Sequence, residues 1–245
     1  MIRVEGAISV KAALESRYRT VSRIYINQDK QSSDISYIKQ RASLSKVPVS
    51  IVAPFELEKM AKGKTHGGIL ADVSPRKFQA VTSLLKKDNP FLVLLEGIED
   101  SFNLGYIFRT LYAFGCDGVI LPGRSFDFED ETLIKSSAGA SELIPIHIAD
   151  DIPSTLQILR RNGITVLSLY RGRGSRDLYD YYFGDKKGVL FAIGGPLRGL
   201  SRDVLDNSDD FIYIPYANDF RNALNAASAA TVVAGEYYRI RRKMQ

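Results

Sequence analysis

Two polar residues near the middle of the chain, Arg109 and Asn103, have no evident role in folding. Ile107, Leu111 and Phe114 recur at helical spacing and predict an amphipathic helix. At 100° per residue, Arg109 lies about 200° around that helix from Ile107, so it points away from the apolar stripe. Asn103 stands just before the predicted helix. Because an arginine is almost never deprotonated, any chemistry it performs is stabilisation of negative charge.

A structural interpretation of the same two residues also exists. Arg109 would then be a solvated side chain, and Asn103 would cap the N-terminus of the helix. Helix caps and exposed arginines are far commoner than active sites, so spacing alone favours this interpretation.

The elements around these residues predict a βαβ unit. The apolar run 91–95 is typical of a strand buried on both faces, Gly115 ends the helix, and 118–121 forms a second buried strand. An acidic, aromatic loop over 124–130 follows. Further alternating strands and helices continue to the C-terminus, which predicts an α/β domain with a parallel sheet.

Two later strands are each followed by a turn of unusual composition. The strand at 189–193 leads into Gly194-Gly195-Pro196-Leu197-Arg198-Gly199. Pro196 occupies the central glycine position of a dinucleotide fingerprint, which weakens the interpretation as a nicotinamide enzyme. The strand at 211–215 is followed by a loop, by Ala223-Leu224-Asn225, and by an alanine-rich terminal helix. Helix propensity explains that helix but not Asn225 at its start.

These segments together resemble the three motifs of the SpoU/TrmH-type methyltransferases, which belong to the SPOUT class of S-adenosylmethionine-dependent RNA-modifying enzymes. Asn103-Leu104-Gly105-x-x-x-Arg109-Thr110 resembles the first motif. Gly194, Gly199, Leu200 and Ser201 match the second, while Leu224 and Asn225 match the third. Pro196 replaces the usual glutamate and Ala223 the usual serine.

The resemblance implies a C-terminal SPOUT domain with a deep trefoil knot, a homodimer, and S-adenosyl-L-methionine bound in the knot. Gly194, Ile214 and Leu224 would hold the cofactor, largely through backbone groups, with Leu169 and Gly199 as further candidates.

The reaction implied by the resemblance is methyl transfer to a ribose 2′-hydroxyl of RNA. Arg109 would stabilise the developing alkoxide, and Asn103 and Asn225 would orient Arg109 and the ribose. A knotted RNA-binding protein with weak or no catalysis is the alternative, motivated by Pro196 and Ala223. Whether the RNA is ribosomal or transfer RNA stays open.

The pattern of strands and helices in residues 1–76 predicts a separate small α/β domain. A predicted linker helix at 77–90 joins it to the SPOUT domain at 91–245. This first segment is similar to the N-terminal substrate-binding domain of many SpoU-type enzymes, a fold shared with ribosomal RNA-binding proteins. Glu5-Gly6 and His66-Gly67-Gly68-Ile69-Leu70 carry that resemblance. His66 has no carboxylate nearby in sequence, which favours a phosphate or backbone contact over acid–base chemistry.

The charge is distributed unevenly along the chain. Residues 1–90 carry sixteen Lys and Arg against eight Asp and Glu, whereas residues 91–245 carry seventeen against twenty. A basic first segment favours RNA as a partner, with a solvated surface as the alternative. Arg171, Arg173 and Arg176 are interleaved with glycines and followed by tyrosines, which suits either RNA contact or a mobile surface loop with the tyrosines packed on the body.

The remaining composition bounds the class of protein. A single cysteine, Cys116, excludes an internal disulfide and fits a reducing cytoplasm. With two histidines besides, a structural zinc site is not expected. The sequence contains neither an apolar run of membrane-spanning length nor a signal-peptide pattern, so we expect no membrane partner.

Overall fold

The computed structural model describes residues 1–123, 129–184 and 186–244. The chain forms two compact units. The first, called the N-terminal unit, combines Met1–Lys77 with Glu129–Leu143. The second, called the body, contains the remaining described residues from Phe78 onward. No helix in the described ranges combines the length and apolarity needed to cross a membrane.

The N-terminal unit is built on a four-stranded sheet. Its first elements are β1 (Ile2–Glu5), α1 (Ala7–Glu15), β2 (Val21–Asn27), α2 (Ser33–Leu44), β3 (Val49–Val52), α3 (Pro54–Met60) and β4 (Ile69–Val73). The strand order is β1-β4-β2-β3, with β2 and β3 parallel and the other pairs antiparallel. Ile24, Ile26 and Ala71 share one face of the sheet and form the core with apolar residues of α1 and α2.

The body is built on a seven-stranded parallel sheet. The remaining elements in chain order are β5 (Phe91–Glu96), α4 (Ser101–Ala113), β6 (Gly118–Pro122), α5 (Asp130–Ser136, part of the N-terminal unit), β7 (Ile146–Ala149), α6 (Ile152–Arg161), β8 (Thr165–Leu169), β9 (Arg176–Asp177), β10 (Val189–Gly194), α7 (Arg202–Leu205), β11 (Asp210–Tyr213) and α8 (Ala226–Met244). The strand order is β7-β6-β5-β10-β8-β11-β9, and every pair is parallel. The predicted fold class, a parallel-sheet α/β domain preceded by a small α/β unit, is confirmed.

The carboxyl ends of β5, β10, β8 and β11 meet at one edge of this sheet, because the four strands are adjacent and parallel. We call this the carboxyl edge. Gly194 ends β10, Leu169 ends β8, and Ile214 directly follows β11. The fold therefore brings three predicted cofactor residues from distant parts of the sequence to one side of the sheet.

Helices α4 and α8 run parallel to each other. Thr110 of α4 faces Thr231 of α8, with 3.5 Å between the hydroxyl oxygens. One turn further along α4, the ring of Phe114 packs against Tyr238, with 5.7 Å between the ring centroids. Residue numbers rise together in both pairs, so the two helices begin at the same end. Since α4 follows the end of β5, that shared end is the carboxyl edge.

The prediction of a linker helix over 77–90 is wrong, because no α-helix forms in these residues. Only one short 3₁₀ helix, Val81–Leu85, forms there. The residues before it are held extended, because the Lys77 N–H donates to the Tyr18 carbonyl and the Gln79 N–H donates to the Ile146 carbonyl. Val81 and Leu84 are buried in the body's core, as their apolar character requires. The domain boundary itself stays a prediction.

The segment Glu129–Leu143 joins the N-terminal unit through buried ion pairs. The Glu142 side chain is fully buried, and its Oε1 lies 2.9 Å from Arg19 Nε and 2.6 Å from Arg76 Nη2. Asp130 pairs with the same two guanidinium groups. Two buried arginines are therefore balanced by carboxylates more than fifty residues later in the chain. Of the predicted loop at 124–130, residues 124–128 lie outside the described residues.

Candidate active site

Asn103 lies within α4, as its third residue, and not before the helix as predicted. The N-cap is Asp100, whose carboxylate accepts hydrogen bonds from the backbone N–H groups of Phe102 and Asn103, the latter at 2.9 Å. A carboxylate at the N-cap position satisfies the free amides of the first turn. The capping interpretation of Asn103 is therefore wrong, and its exposed carboxamide is available for other contacts.

Arg109 is exposed on α4, away from the buried stripe of Ile107 and Leu111, as predicted. Among the described residues, no side chain forms an ion pair or hydrogen bond with its guanidinium. It lies six residues beyond Asn103, which is about 9 Å along the helix axis. Helical side chains tilt towards the N-terminus of their helix, so the guanidinium can extend back towards the carboxyl edge.

Asn225 caps α8. Its Oδ1 accepts a hydrogen bond from the Ser228 N–H at 2.8 Å, and its carbonyl accepts from the Ala229 N–H at 2.9 Å. Capping thus accounts for the side-chain oxygen, which helix propensity alone left unexplained. Since α4 and α8 begin at the same end, Asn103 and Asn225 both lie at the carboxyl edge, with Arg109 further along α4.

The turn after β10 packs against the turn after β5 at glycine–glycine contacts. A Cβ on Gly195 would overlap the Gly97 carbonyl oxygen, and a Cβ on Gly194 would lie 2.5 Å from the Gly199 carbonyl carbon. The Gly195 N–H donates to the Glu96 carbonyl at 2.7 Å. Because no side chain fits between them, backbone groups form this part of the edge.

The Glu96 carboxylate lies at the same edge and was missed from the sequence. It accepts a hydrogen bond from the Ser201 N–H at 2.7 Å, which ties the end of the 194–200 turn to the end of β5. Pro196 is exposed within that turn. Glu96 could have been noticed in the sequence, because it is an acidic residue directly after the apolar run 91–95. The carboxyl edge thus holds a carboxylate even though position 196 does not supply one.

The loop between β11 and α8 is folded around Arg171. The Arg171 guanidinium lies 4.7 Å from the centroid of the Tyr216 ring and donates to the Phe220 carbonyl at 2.8 Å. The Tyr216 hydroxyl in turn accepts a hydrogen bond from the Leu224 N–H at 2.9 Å. These contacts fix the loop that carries two of the predicted cofactor residues, Ile214 and Leu224.

Two of the three arginines for which RNA contact and a surface loop were both open are engaged within the body. Arg171 stacks on Tyr216, and Arg176 forms an ion pair with Asp210 at 3.2 Å. Both partners come from the β11 region, some forty residues later, and could not be assigned from local sequence. Arg173 is exposed.

The five predicted cofactor residues offer neutral groups to a ligand. Leu169 and Ile214 are half-buried and Leu224 is about one-third exposed, so apolar surface is accessible at the ends of β8 and β11. Gly194 and Gly199 offer backbone groups only. Apolar surface with a few fixed backbone groups suits an adenosine moiety. Within the described ranges, no group of three or more His, Cys, Asp or Glu side chains is placed to hold a metal ion.

The fold and this edge define a protein of the SPOUT class of methyltransferases. Residues 90–235 match the SpoU rRNA methylase family, and residues 3–79 match the family described as RNA 2′-O ribose methyltransferase substrate binding. The chain belongs to the SpoU family of RNA methyltransferases, whose methyl donor is S-adenosylmethionine. The resemblance drawn from the three motifs is confirmed.

Individual relatives agree with this assignment over nearly the whole chain. A Staphylococcus haemolyticus protein classed in the TrmH family of tRNA/rRNA methyltransferases is 31% identical, covering 98% of this chain and 96% of that one. The fold is similar to the SpoU methyltransferase AviRb from Streptomyces viridochromogenes in complex with AdoMet, at TM-score 0.79 and 23% identity, covering 100% of this chain and 91% of that one. It is also similar to an AdoMet-bound rRNA methyltransferase from Sinorhizobium meliloti, at TM-score 0.77 and 21% identity, covering 97% and 87%.

Proposed function

We propose that the chain transfers a methyl group from S-adenosylmethionine to a ribose 2′-hydroxyl of ribosomal or transfer RNA. The observation that carries this proposal is the convergence at the carboxyl edge of the glycine turn after β10, the loop after β11, and the starts of α4 and α8. The match of residues 3–79 to a ribose methyltransferase substrate-binding family supports the ribose as the acceptor.

Gly194, Ile214 and Leu224 would hold the cofactor, with Leu169 and Gly199 lining the same side. Their neutral backbone and apolar groups suit adenosine. The Leu224 N–H is bonded to the Tyr216 hydroxyl, so a ligand that uses this N–H must displace the phenol. When bound, the cofactor supplies an activated methyl group.

The protein's own task is then to align a weak nucleophile and favour loss of its proton. Arg109 carries a permanent charge, so it stabilises the alkoxide that develops on the ribose oxygen and contacts the adjacent phosphate. Asn103 orients the ribose or Arg109 with its uncommitted carboxamide. Asn225 retains only its amide nitrogen for this purpose, because its oxygen caps α8.

We also infer a homodimer and a trefoil knot. Phe102, Tyr106 and Tyr112 leave about half of their surface exposed on α4, which suits burial against a second copy. The knot is inferred from membership of the SpoU family, whose resemblance implies it. We assign RNA binding to the predicted domain at 1–76 and methyl transfer to the predicted domain at 91–245. The expected location is the cytoplasm.

The alternative is an RNA-binding protein without methyl transfer, and Ala223 and Pro196 motivate it. The two are separated by measuring S-adenosylmethionine binding by calorimetry and by mass-spectrometric mapping of RNA from a strain that lacks the gene. Loss of one 2′-O-methylated nucleotide, restored by the purified protein and cofactor, is the expected result. Cofactor binding without any change in the RNA would favour the alternative.

A further inference from the structure

The basic loop between α3 and β4 is tied to a buried carboxylate. Glu5 is fully buried at the end of β1. Its Oε1 accepts a hydrogen bond from the Lys62 N–H at 2.5 Å, and its Oε2 accepts from the Gly63 N–H at 3.2 Å. The carboxylate therefore fixes the backbone of the loop and leaves the lysine side chains exposed. Charged hydrogen bonds of this kind are stronger than those between neutral groups.

At the C-terminal end of the loop, His66 presents a further hydrogen-bond donor. The Nδ1 of His66 accepts a hydrogen bond from the Gly68 N–H at 3.1 Å, so a neutral ring carries its proton on Nε2. Gly68 has φ +84°, and a Cβ there would lie 2.5 Å from Lys30 Cγ. The stem of Lys30 thus lies alongside the loop. Lys62, Lys64 and Thr65 are exposed, and residues 59–68 contain no acidic residue.

Three arginines of the same unit are committed elsewhere. Arg19 and Arg76 are buried against Glu142 and Asp130, and Arg3 pairs with Asp72 at 2.8 Å. The positive charge of the first segment is therefore partly internal, and it does not all face solvent. The loop, in contrast, gathers exposed ammonium groups on a fixed backbone.

We propose that the loop Lys62–His66, together with Lys30, is a preorganised binding site for a phosphodiester of the RNA, with Glu5 as its positioning residue. This proposal rests on the proposed function, since it requires that the protein binds RNA. The side chains offered are all donors, three of them cationic, which is what a phosphate accepts. Glu5 does not contact the RNA; it fixes the loop conformation so that less entropy is lost on binding.

The test measures binding of a fluorescein-labelled single-stranded RNA of mixed sequence to the full chain across a series of salt concentrations. The K62Q/K64Q variant is compared with K39Q/K46Q, which removes the same charge from exposed lysines of the same unit. Loss of two phosphate contacts should reduce the salt slope by about 1.4 and weaken binding by at least about tenfold. Equal behaviour of the two double variants would overturn the proposal.

Glu5→Gln separates preorganisation from charge. If only net charge mattered, removing a carboxylate would tighten RNA binding; the proposal expects weaker binding and faster hydrogen exchange in the peptide spanning 61–68. Tighter binding with unchanged exchange would contradict the role of Glu5, while K62Q/K64Q still tests the site if Glu5→Gln does not fold.

Cofactor binding should be unchanged in K62Q/K64Q. If wild type binds RNA but transfers no methyl group, the proposed reaction fails and the loop assignment stands.

Discussion

The Arg171 guanidinium lies over the ring of Tyr216, 4.7 Å from its centroid, and also donates to the Phe220 carbonyl. Arg171 follows β8 and Tyr216 follows β11, two neighbouring strands of the body. The contact thus joins the ends of adjacent strands and folds the loop that leads to Leu224. Arg171 lies in a segment whose arginines and tyrosines suggested RNA contact. In the structure it shapes the proposed cofactor site.

Arg171→Ala should weaken S-adenosylmethionine binding without unfolding the body. The variant loses a cation–π contact and a charged hydrogen bond, together about 1–2 kcal/mol or roughly tenfold in affinity. Arg171→Lys should restore little, because an ammonium group is not planar and stacks poorly. Calorimetric titration with the cofactor measures both. Arg173→Ala is the matched control, and equal affinities in the Arg171 and Arg173 variants would show that the loop does not depend on Arg171.

Glu142→Gln should strongly destabilise the full chain. Among the described residues, the substitution leaves Arg19 and Arg76 buried with Asp130 as their one remaining carboxylate, and an uncompensated buried charge typically costs about 3–5 kcal/mol. Urea unfolding followed by circular dichroism gives the free energy of unfolding. Glu131→Gln is the control: it removes an ion pair with Lys135 on the surface of α5, worth about 0.5 kcal/mol. Similar losses in the two variants would mean that the buried cluster contributes no more than a surface pair.

Much of the body could be predicted from the sequence because its strands are continuous apolar runs. The strands Phe91–Glu96 and Val189–Gly194 are buried on both faces. A strand of this kind is a continuous apolar run, so it can be predicted from composition alone. The glycine turn after β10 was identified from its resemblance to a family motif, and the structure gives the physical reason: a Cβ at Gly194 or Gly195 would overlap neighbouring backbone atoms.

Contacts between distant segments could not be predicted in this way. Nothing near Glu142 in the sequence indicates that it pairs with Arg19, 123 residues earlier. Asn103 was misplaced for a local reason, since both Asp100 and Asn103 are good N-cap residues and only the backbone geometry decides between them. The sequence therefore indicated the buried strands and the glycine turn, whereas the hydrogen-bond and ion-pair partners of distant residues appeared only in the structure.

The Cys116 thiol should be unreactive in the folded protein. Burial raises its pKa to about 12, from about 8.5 in an unfolded chain. The folded state thus holds the proton more tightly, so its contribution to stability is constant below about pH 8.5 and declines as the pH rises towards 12. Reaction with a thiol reagent at pH 8.5 should be slow for the native protein and fast in guanidinium chloride. Rapid labelling of the native protein would contradict the burial, and Cys116→Ala should lose less stability than wild type between these pH values.

Arg109→Ala should reduce methyl transfer far more than it weakens either ligand. The side chain is exposed, so folding should survive. If the guanidinium stabilises charge that appears only in the transition state, its loss lowers the single-turnover rate while cofactor and RNA affinities change little. Removal of one preorganised donor typically costs about 10²–10³ in rate. Arg109→Lys should recover little of this, because a point charge does not reproduce the fork of donors.

The measurement is single-turnover methylation of the RNA substrate, with binding of cofactor and RNA determined in parallel. Arg161→Ala, an exposed arginine on α6 of the same body, is the control and should retain wild-type rates. A rate that falls only in step with RNA affinity would assign Arg109 to binding, because an interaction made equally in ground and transition states leaves the chemical step unchanged. A near-wild-type rate in the alanine variant would remove Arg109 from the reaction altogether, and the alkoxide would then have to be stabilised by another group at the carboxyl edge.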